Sequence, residues 1–258
     1  MLAVSMPFHP ATSGLVARAV RSVLNQSHRD LVVVAVNDGG GPDAWGALKR
    51  FKDDRLVRFD LRVNEGRYYA DAVVLGASDR QWWTPHDSDD WSERTRYANL
   101  MARTDHTVDV VLGGWVVRQQ SGRETVKMPR LVFDDQRLRY QANHVGLWRA
   151  EALRSIGGPH PEWRYAYDTL MVGLATRHLS VVTSEDAGYH HEVRPGSLSS
   201  SRETGIGSQA RSLAHRKRQR IWLGSRTMDR TRLRGLLAPS PQTVEKLAAD
   251  IDRLRALL

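Results

Sequence analysis

Leu31-Val32-Val33-Val34-Ala35-Val36, followed at once by Asn37-Asp38-Gly39-Gly40-Gly41-Pro42, is the stretch that decides the architecture. An unbroken apolar run of this length reads as a strand covered on both faces, as in a parallel sheet between two layers of helices. The glycines behind it permit a tight bend and a close approach to a ligand. Upstream, residues 3–8 read as a short strand broken by Pro7. From Leu15 the apolar pairs Leu15/Val16, Ala19/Val20 and Val23/Leu24 recur every four residues, an amphipathic helix with Thr12 or Ser13 as its cap. Downstream, the pattern predicts a helix over 44–52, a strand over 56–61, the turn Asn64-Glu65-Gly66, a helix over 68–77 and a strand ahead of Asp87. Strands alternating with helices make an α/β fold with a mostly parallel sheet and right-handed crossovers. Such sheets bind ligands in the crevice beyond the strands' carboxyl ends. Asp38 and Asp87 each follow a strand, so both are expected in one crevice.

The second acidic element is Asp87-Ser88-Asp89-Asp90, reached through Gln81-Trp82-Trp83-Thr84-Pro85. Three carboxylates within four residues repel one another unless a cation sits among them. Hard oxygen ligands packed this way suit Mg²⁺ or Mn²⁺, which in turn suit a diphosphate. Surface turns also carry such runs, and Asp38 ahead of three glycines equally suits a turn.

The second half is less regular. Residues 108–112 and 115–117 read as strand segments split by Gly113-Gly114. Residues 148–156 read as a helix ended by Gly157-Gly158-Pro159, 168–177 as a further helix and 180–183 as a short strand. Beyond Arg194 the chain turns polar through Gly196-Ser197-Leu198-Ser199-Ser200-Ser201, and from Gln209 it is basic and helical. Ser240-Pro241 opens a last helix with Val244, Leu247, Ala248, Ile251, Leu254 and Leu258 on one face. This divides the chain at 1–105, 106–204 and a basic helical extension, 205–258.

Composition narrows the class. The 258 residues are 41% hydrophobic and 26% charged, ordinary for a soluble globular chain. No cysteine is present, which excludes disulfides, thiolate metal sites and cysteine nucleophiles. No apolar stretch approaches the ~20 residues that span a bilayer, and no export signal opens the chain, so a cytoplasmic protein is expected. The formal charge of +9 is carried almost wholly by arginine, whose fork matches phosphate and carboxylate. His215-Arg216-Lys217-Arg218-Gln219-Arg220 suits a peripheral contact with an anionic membrane at its inner face. Without aromatic interleaving it predicts no specific nucleic acid.

Val4-Ser5-Met6-Pro7, Ala19-Val20-Arg21-Ser22-Val23-Leu24-Asn25-Gln26-Ser27, Asn37-Asp38-Gly39, Asn64-Glu65-Gly66, Asp87-Ser88-Asp89-Asp90, Ile156-Gly157-Gly158 and Tyr165-Ala166-Tyr167-Asp168 follow one another in an order that resembles the family-2 glycosyltransferases over residues 3–200. The resemblance implies a Rossmann-like GT-A fold, a nucleotide-sugar donor (typically UDP-linked), Mn²⁺ or Mg²⁺, and sugar transfer with inversion. It puts Pro7, Asn64, Gly66 and Ser88 beside the donor. Asp38 would accept a hydrogen bond from the base, Asp87 would contact the ribose or sugar, and Asp89 would hold the metal with Asp90 close by. Asp168 would be the catalytic base, although Tyr167 stands where the family has an acid. An Asp ahead of a helix also suits a cap. The chemistry asks for the same parts: a cation for the leaving diphosphate and a carboxylate on the opposite face to take the acceptor's proton.

One segment departs from the family. Where a histidine completes the family's metal shell, this chain has Tyr189-His190-His191-Glu192-Val193-Arg194-Pro195-Gly196. Either His190 or His191 supplies the metal ligand, or Arg194 binds the diphosphate itself. Arg202 is expected to close over the donor. His144, Trp148 and Trp163 are the acceptor-side candidates, with a saccharide, a lipid-linked precursor or a natural product as acceptor. The terminal helices would serve as a homodimer interface, a lid or a membrane contact. Two other readings compete: a catalytically silent relative acting as a binding module, and a sugar nucleotidyltransferase. The second wants an amino-terminal glycine-rich loop with a basic residue, which Pro7-Phe8-His9-Pro10-Ala11-Thr12 does not offer.

Overall fold

Leu2–Phe8 (β1) and Leu31–Asp38 (β2) lie side by side in parallel, joined through helix α1 (Val16–Leu24). Side chains leave a strand on alternate faces. Val32, Val34 and Val36 accordingly enter a core on one side of the sheet, and Leu31, Val33 and Ala35 a second core on the other. The apolar run is continuous because both faces are covered, and each such side chain contributes about 1.5–3 kcal/mol on burial. The structure is a computed structural model that describes residues 1–12, 14–131, 142–195, 197, 201–205 and 207–258.

After β2 come β3 (Leu56–Leu61), α2 (Arg67–Ala77), β4 (Trp82–Pro85), β5 (Trp91–Ser92) and α3 (Arg96–Met101). They are followed by β6 (Val110–Leu112), β7 (Trp115–Arg118), β8 (Glu124–Lys127), β9 (Leu147–Arg149), α4 (Ala150–Ser155), α5 (Tyr167–His178), β10 (Val181–Thr183) and β11 (Tyr189–Glu192). A seven-stranded sheet has the order β10-β6-β9-β4-β1-β2-β3, with only β9 running against its neighbours. A second sheet, β5-β11-β7-β8, stands beside it. Its pairing of Tyr189 with Ser92 and His190 with Trp91 carries β11 to the end of the acidic run.

Several expectations are corrected. Pro7 does not break β1. Ser5 O accepts the His86 N–H on the β4 side, and Pro7 faces that side two residues on, past the end of β4, where no N–H is needed. Residues 42–48 form a 3₁₀ turn, not a helix over 44–52, with Pro42 at its start and Gly46 inside it. The stretch 148–156 splits into β9 and α4 because Trp148 is claimed by the sheet between β4 and β6. Helix α1 has no side-chain cap; Thr12 instead bonds His9 in a preceding turn, and Ser13 lies outside the described residues. Of the polar loop after Arg194, residues 196 and 198–200 also lie outside them.

Residues 205–258 hold α6 (Gln209–Gly224), α7 (Arg230–Leu236) and α8 (Pro241–Arg255), folded back onto the sheet's helical layer. Trp222, Leu233, Leu237 and Leu254 join the same core as Tyr68 and Trp148. Tyr69 Oη donates to Asp250 Oδ2 at 2.9 Å, which fastens α8 to α2. In the basic stretch Arg218 is buried and bonds the Ala166 carbonyl, while Lys217 covers the Trp163 ring at 4.5 Å. Among the described residues no helix is long and apolar enough to cross a membrane.

Candidate active site

Three carboxylates, Asp38 and Asp87 behind strands and Asp168 in the first turn of α5, are held at the start of α2. Asp38, at the end of β2 and 5% exposed, accepts the Glu65 N–H at 2.7 Å and the Gly66 N–H at 2.9 Å. Burial pushes its carboxyl up, against these two donors, which favour the charged form. The bend that allows this is Gly39, with φ +77°, whose missing side chain leaves room for the Asn64 backbone. The next residue of the helix, Arg67, pairs with Asp87 and, one turn along, with Asp71 at 3.3 Å. Asp71 is buried and accepts the Ser5 hydroxyl at 2.7 Å. Tyr68 Oη donates to Asp168 Oδ1 at 3.2 Å. The side chains of residues 38, 87 and 168 are therefore gathered around one helical turn, which acts as their clasp.

Each carboxylate of the acidic run has its own partner. Burial opposes charge on Asp87, but Arg67, aided by His144 and His191, holds its carboxyl well below the usual range. Asp90 is 0% exposed and accepts Tyr189 Oη at 2.7 Å, His191 Nδ1 at 3.1 Å and the Glu192 N–H at 3.1 Å. Burial raises Asp90 to about 6, while the bond between the two raises His191 to about 9, so the pair is ionic at neutral pH. Asp89 Oδ2 accepts Arg194 Nε at 2.7 Å, and its backbone carbonyl accepts Arg18 Nη2 at 2.7 Å. Ser88 donates to the Thr12 hydroxyl at 3.1 Å.

Asp168 is not used as a helix cap. Helix α5 begins at Tyr167, its cap position is Ala166, and no side chain caps it. Ala166 has φ 57°, a left-handed conformation unusual for a residue with a Cβ, and Arg218 holds its carbonyl. The Asp168 side chain is 36% exposed, with Oδ2 3.9 Å from His144 Nδ1. Burial and the Arg67 charge lower the His144 pKa. Among the described residues its Nε2 is buried without a hydrogen-bond partner.

The remaining expected residues divide. Asn64 bonds Arg164 through its side chain and carbonyl, both at 3.2 Å, and so stays at the mouth beside Gly66. Pro7 is the penultimate residue of β1, in register with Val36 of β2. Arg202 is exposed in the turn ahead of α6. Trp148 is 0% exposed, and its Nε1 donates to the His144 carbonyl, so it is an interior residue. Trp163 is likewise interior, packed on Tyr167 and His160. His190 points away from the acidic run: it stacks on Trp91 at 3.7 Å and bonds Glu93 at 2.9 Å, as alternation along β11 demands once His191 faces Asp90.

The sequence reading passed over Arg67, Tyr68, Asp71 and Tyr189. A signal existed for Arg67: a cation in the first turn of a helix opposes the helix dipole and calls for a nearby acid, and Asp71 lies one turn on. Nothing local marked Tyr68 or Tyr189.

A divalent ion does not fit the acidic run as it is arranged. Asp87, Asp89 and Asp90 are matched to Arg67, Arg194 and His191, and His190 is turned elsewhere. Among the described residues no three His, Asp or Glu side chains converge to hold a metal.

Comparison with known proteins agrees with this architecture. S. aureus TarS 1-349 superposes with a TM-score of 0.61 at 16% identity, over 97% of this chain and 79% of that one. Its complex with UDP-GlcNAc gives 0.62 at 17%, over 100% and 83%. An uncharacterized glycosyltransferase of Rickettsia bellii is 32% identical over 73 residues, 28% of this chain and 11% of that protein's length. The family described as glycosyl transferase family 2 matches residues 4–156, more than half of the chain. With the sheet order and the clustered strand-end carboxylates, that match makes this chain a member of glycosyl transferase family 2.

Proposed function

We propose that the chain moves a sugar from a uridine diphosphate donor to an acceptor hydroxyl, with inversion at the anomeric carbon. The observation that carries the reading is the turn Gly66-Arg67-Tyr68, which holds Asp38, Asp87 and Asp168 together. That TarS has been solved with UDP and with UDP-GlcNAc supports this donor class. The base lies toward Pro7, Asp38 and Asn64, and the ribose and diphosphate run along 87–89 toward Arg194, with Arg202 on the solvent side.

Asp168 takes the acceptor's proton as its oxygen attacks the anomeric carbon, and the bond to diphosphate breaks on the opposite face. A carboxylate is a weak base toward a free alcohol. It suffices because the hydroxyl acidifies as the new bond forms and the site holds both partners in line. Tyr68 fixes Oδ1 and leaves Oδ2 toward His144 and the acceptor. Charge growing on the diphosphate is met by fixed cations lining the cleft.

Turnover of UDP-sugars, followed as UDP release, tests the proposal. Asp168→Asn is expected to lower turnover by about 10²–10⁴-fold with UDP affinity unchanged. Turnover that persists within about tenfold would remove Asp168 as the base, and a product retaining the donor's anomeric configuration would remove inversion.

A further inference from the structure

We infer that Arg194 carries the positive charge at the donor's diphosphate, so that nucleotide diphosphate binding is independent of divalent metal. This rests on the nucleotide-sugar reading above and deepens it. Of the acidic run, Asp87 is paired with Arg67 from inside, and Asp90 is sealed by Tyr189, His191 and the Glu192 backbone. Asp89 is the carboxylate left for an added cation, and Arg194 already holds it at 2.7 Å.

The pair is partly exposed, with side chains 28% and 18% exposed for Arg194 and Asp89. Arg18, fixed by Glu192 at 2.6 Å, places a second guanidinium on the Asp89 backbone carbonyl. A divalent ion on Asp89 would have to displace a charge-assisted hydrogen bond and then sit beside two arginines. A guanidinium, by contrast, has five donors in a planar fork, enough to serve a carboxylate and phosphate oxygens together. Its place is set by the second sheet: β11 pairs with β5, and the chain leaving β11 brings Arg194 to the loop before β5.

Isothermal titration of UDP into the full chain, with EDTA and separately with Mn²⁺, is the test. The expected dissociation constants agree within about twofold. Arg194→Ala is expected to weaken UDP binding by about tenfold or more in both conditions, as for loss of a hydrogen bond to a charged group. Arg194→His, which sets an imidazole beside Asp89, is expected to regain affinity only when Mn²⁺ is present. Wild-type binding that EDTA abolishes and Mn²⁺ restores would overturn the inference while leaving the donor reading intact. Arg194→Ala binding UDP as tightly as wild type in EDTA would overturn the role of Arg194. Absence of UDP binding in both conditions would overturn the donor reading and this inference with it. The wild-type titrations decide the metal question whatever the stability of the variants.

Discussion

Replacing Arg67 by methionine keeps the apolar stem of the side chain and deletes the charge that clasps Asp71 and Asp87. Asp71 is 3% exposed at its side chain and Asp87 25%. Burial already pushes the Asp71 carboxyl up, with Arg67 the leading opposing influence. Removing one member of a buried pair costs about 3–5 kcal/mol, because the charge left behind is uncompensated. With Asp87 partly wet, the lower end applies, about 3 kcal/mol. A urea slope of about 2–3 kcal/mol/M converts this to a midpoint lowered by about 1–1.5 M. The penalty is repulsion between carboxylates, so it should shrink as they take up protons: larger at pH 8 than at pH 5. Adding Asp71→Asn to Arg67→Met should recover much of the loss. Urea unfolding followed by fluorescence of the eight tryptophans reads all four combinations. A loss under about 1 kcal/mol at pH 8, or one that neither acid nor Asp71→Asn relieves, would refute Arg67 as the electrostatic centre of the clasp.

Three more outcomes follow from the same geometry. Gly39→Ala should lower stability by about 2 kcal/mol or more, since it demands a left-handed alanine and drives a Cβ into the Asn64 backbone; a thermal melt equal to wild type would contradict this. Tyr68→Phe should cut kcat by about tenfold or more while leaving UDP affinity alone, because it frees the Asp168 carboxylate without touching the donor side; an unchanged kcat would dismiss that positioning role. His191, raised to about 9 by its bond to Asp90, stabilises the fold fully below its unfolded value of ~6.5, and that contribution is lost as pH climbs through about 9. Wild-type melting temperature should therefore fall between pH 7 and 10, and His191→Gln should flatten that fall.

Much of the layout is legible without coordinates. An unbroken, valine-rich apolar run at 31–36 reads as a strand with both faces covered, and fourfold spacing from Leu15 reads as a helix that buries one side. The mostly parallel sheet and the strand-end positions of Asp38 and Asp87 follow from these local patterns. The misplaced stretches are those where local pattern and tertiary demand diverge. Residues 148–150 have a helical look, yet Trp148 is needed between β4 and β6, and residues 42–48 wind as a 3₁₀ segment with Gly46 inside it.

Apart from the Arg67–Asp71 pair within α2, the clasp and its charge pairing belong to the tertiary structure. Nothing near Tyr68 tells it that Asp168 lies at hydrogen-bonding distance 100 residues later, and nothing near Arg194 points to Asp89. Burial patterns are written residue by residue because each side chain meets water or core on its own. Which acid meets which base depends instead on sheet register and on how two sheets stand together, here the pairing of β11 with β5.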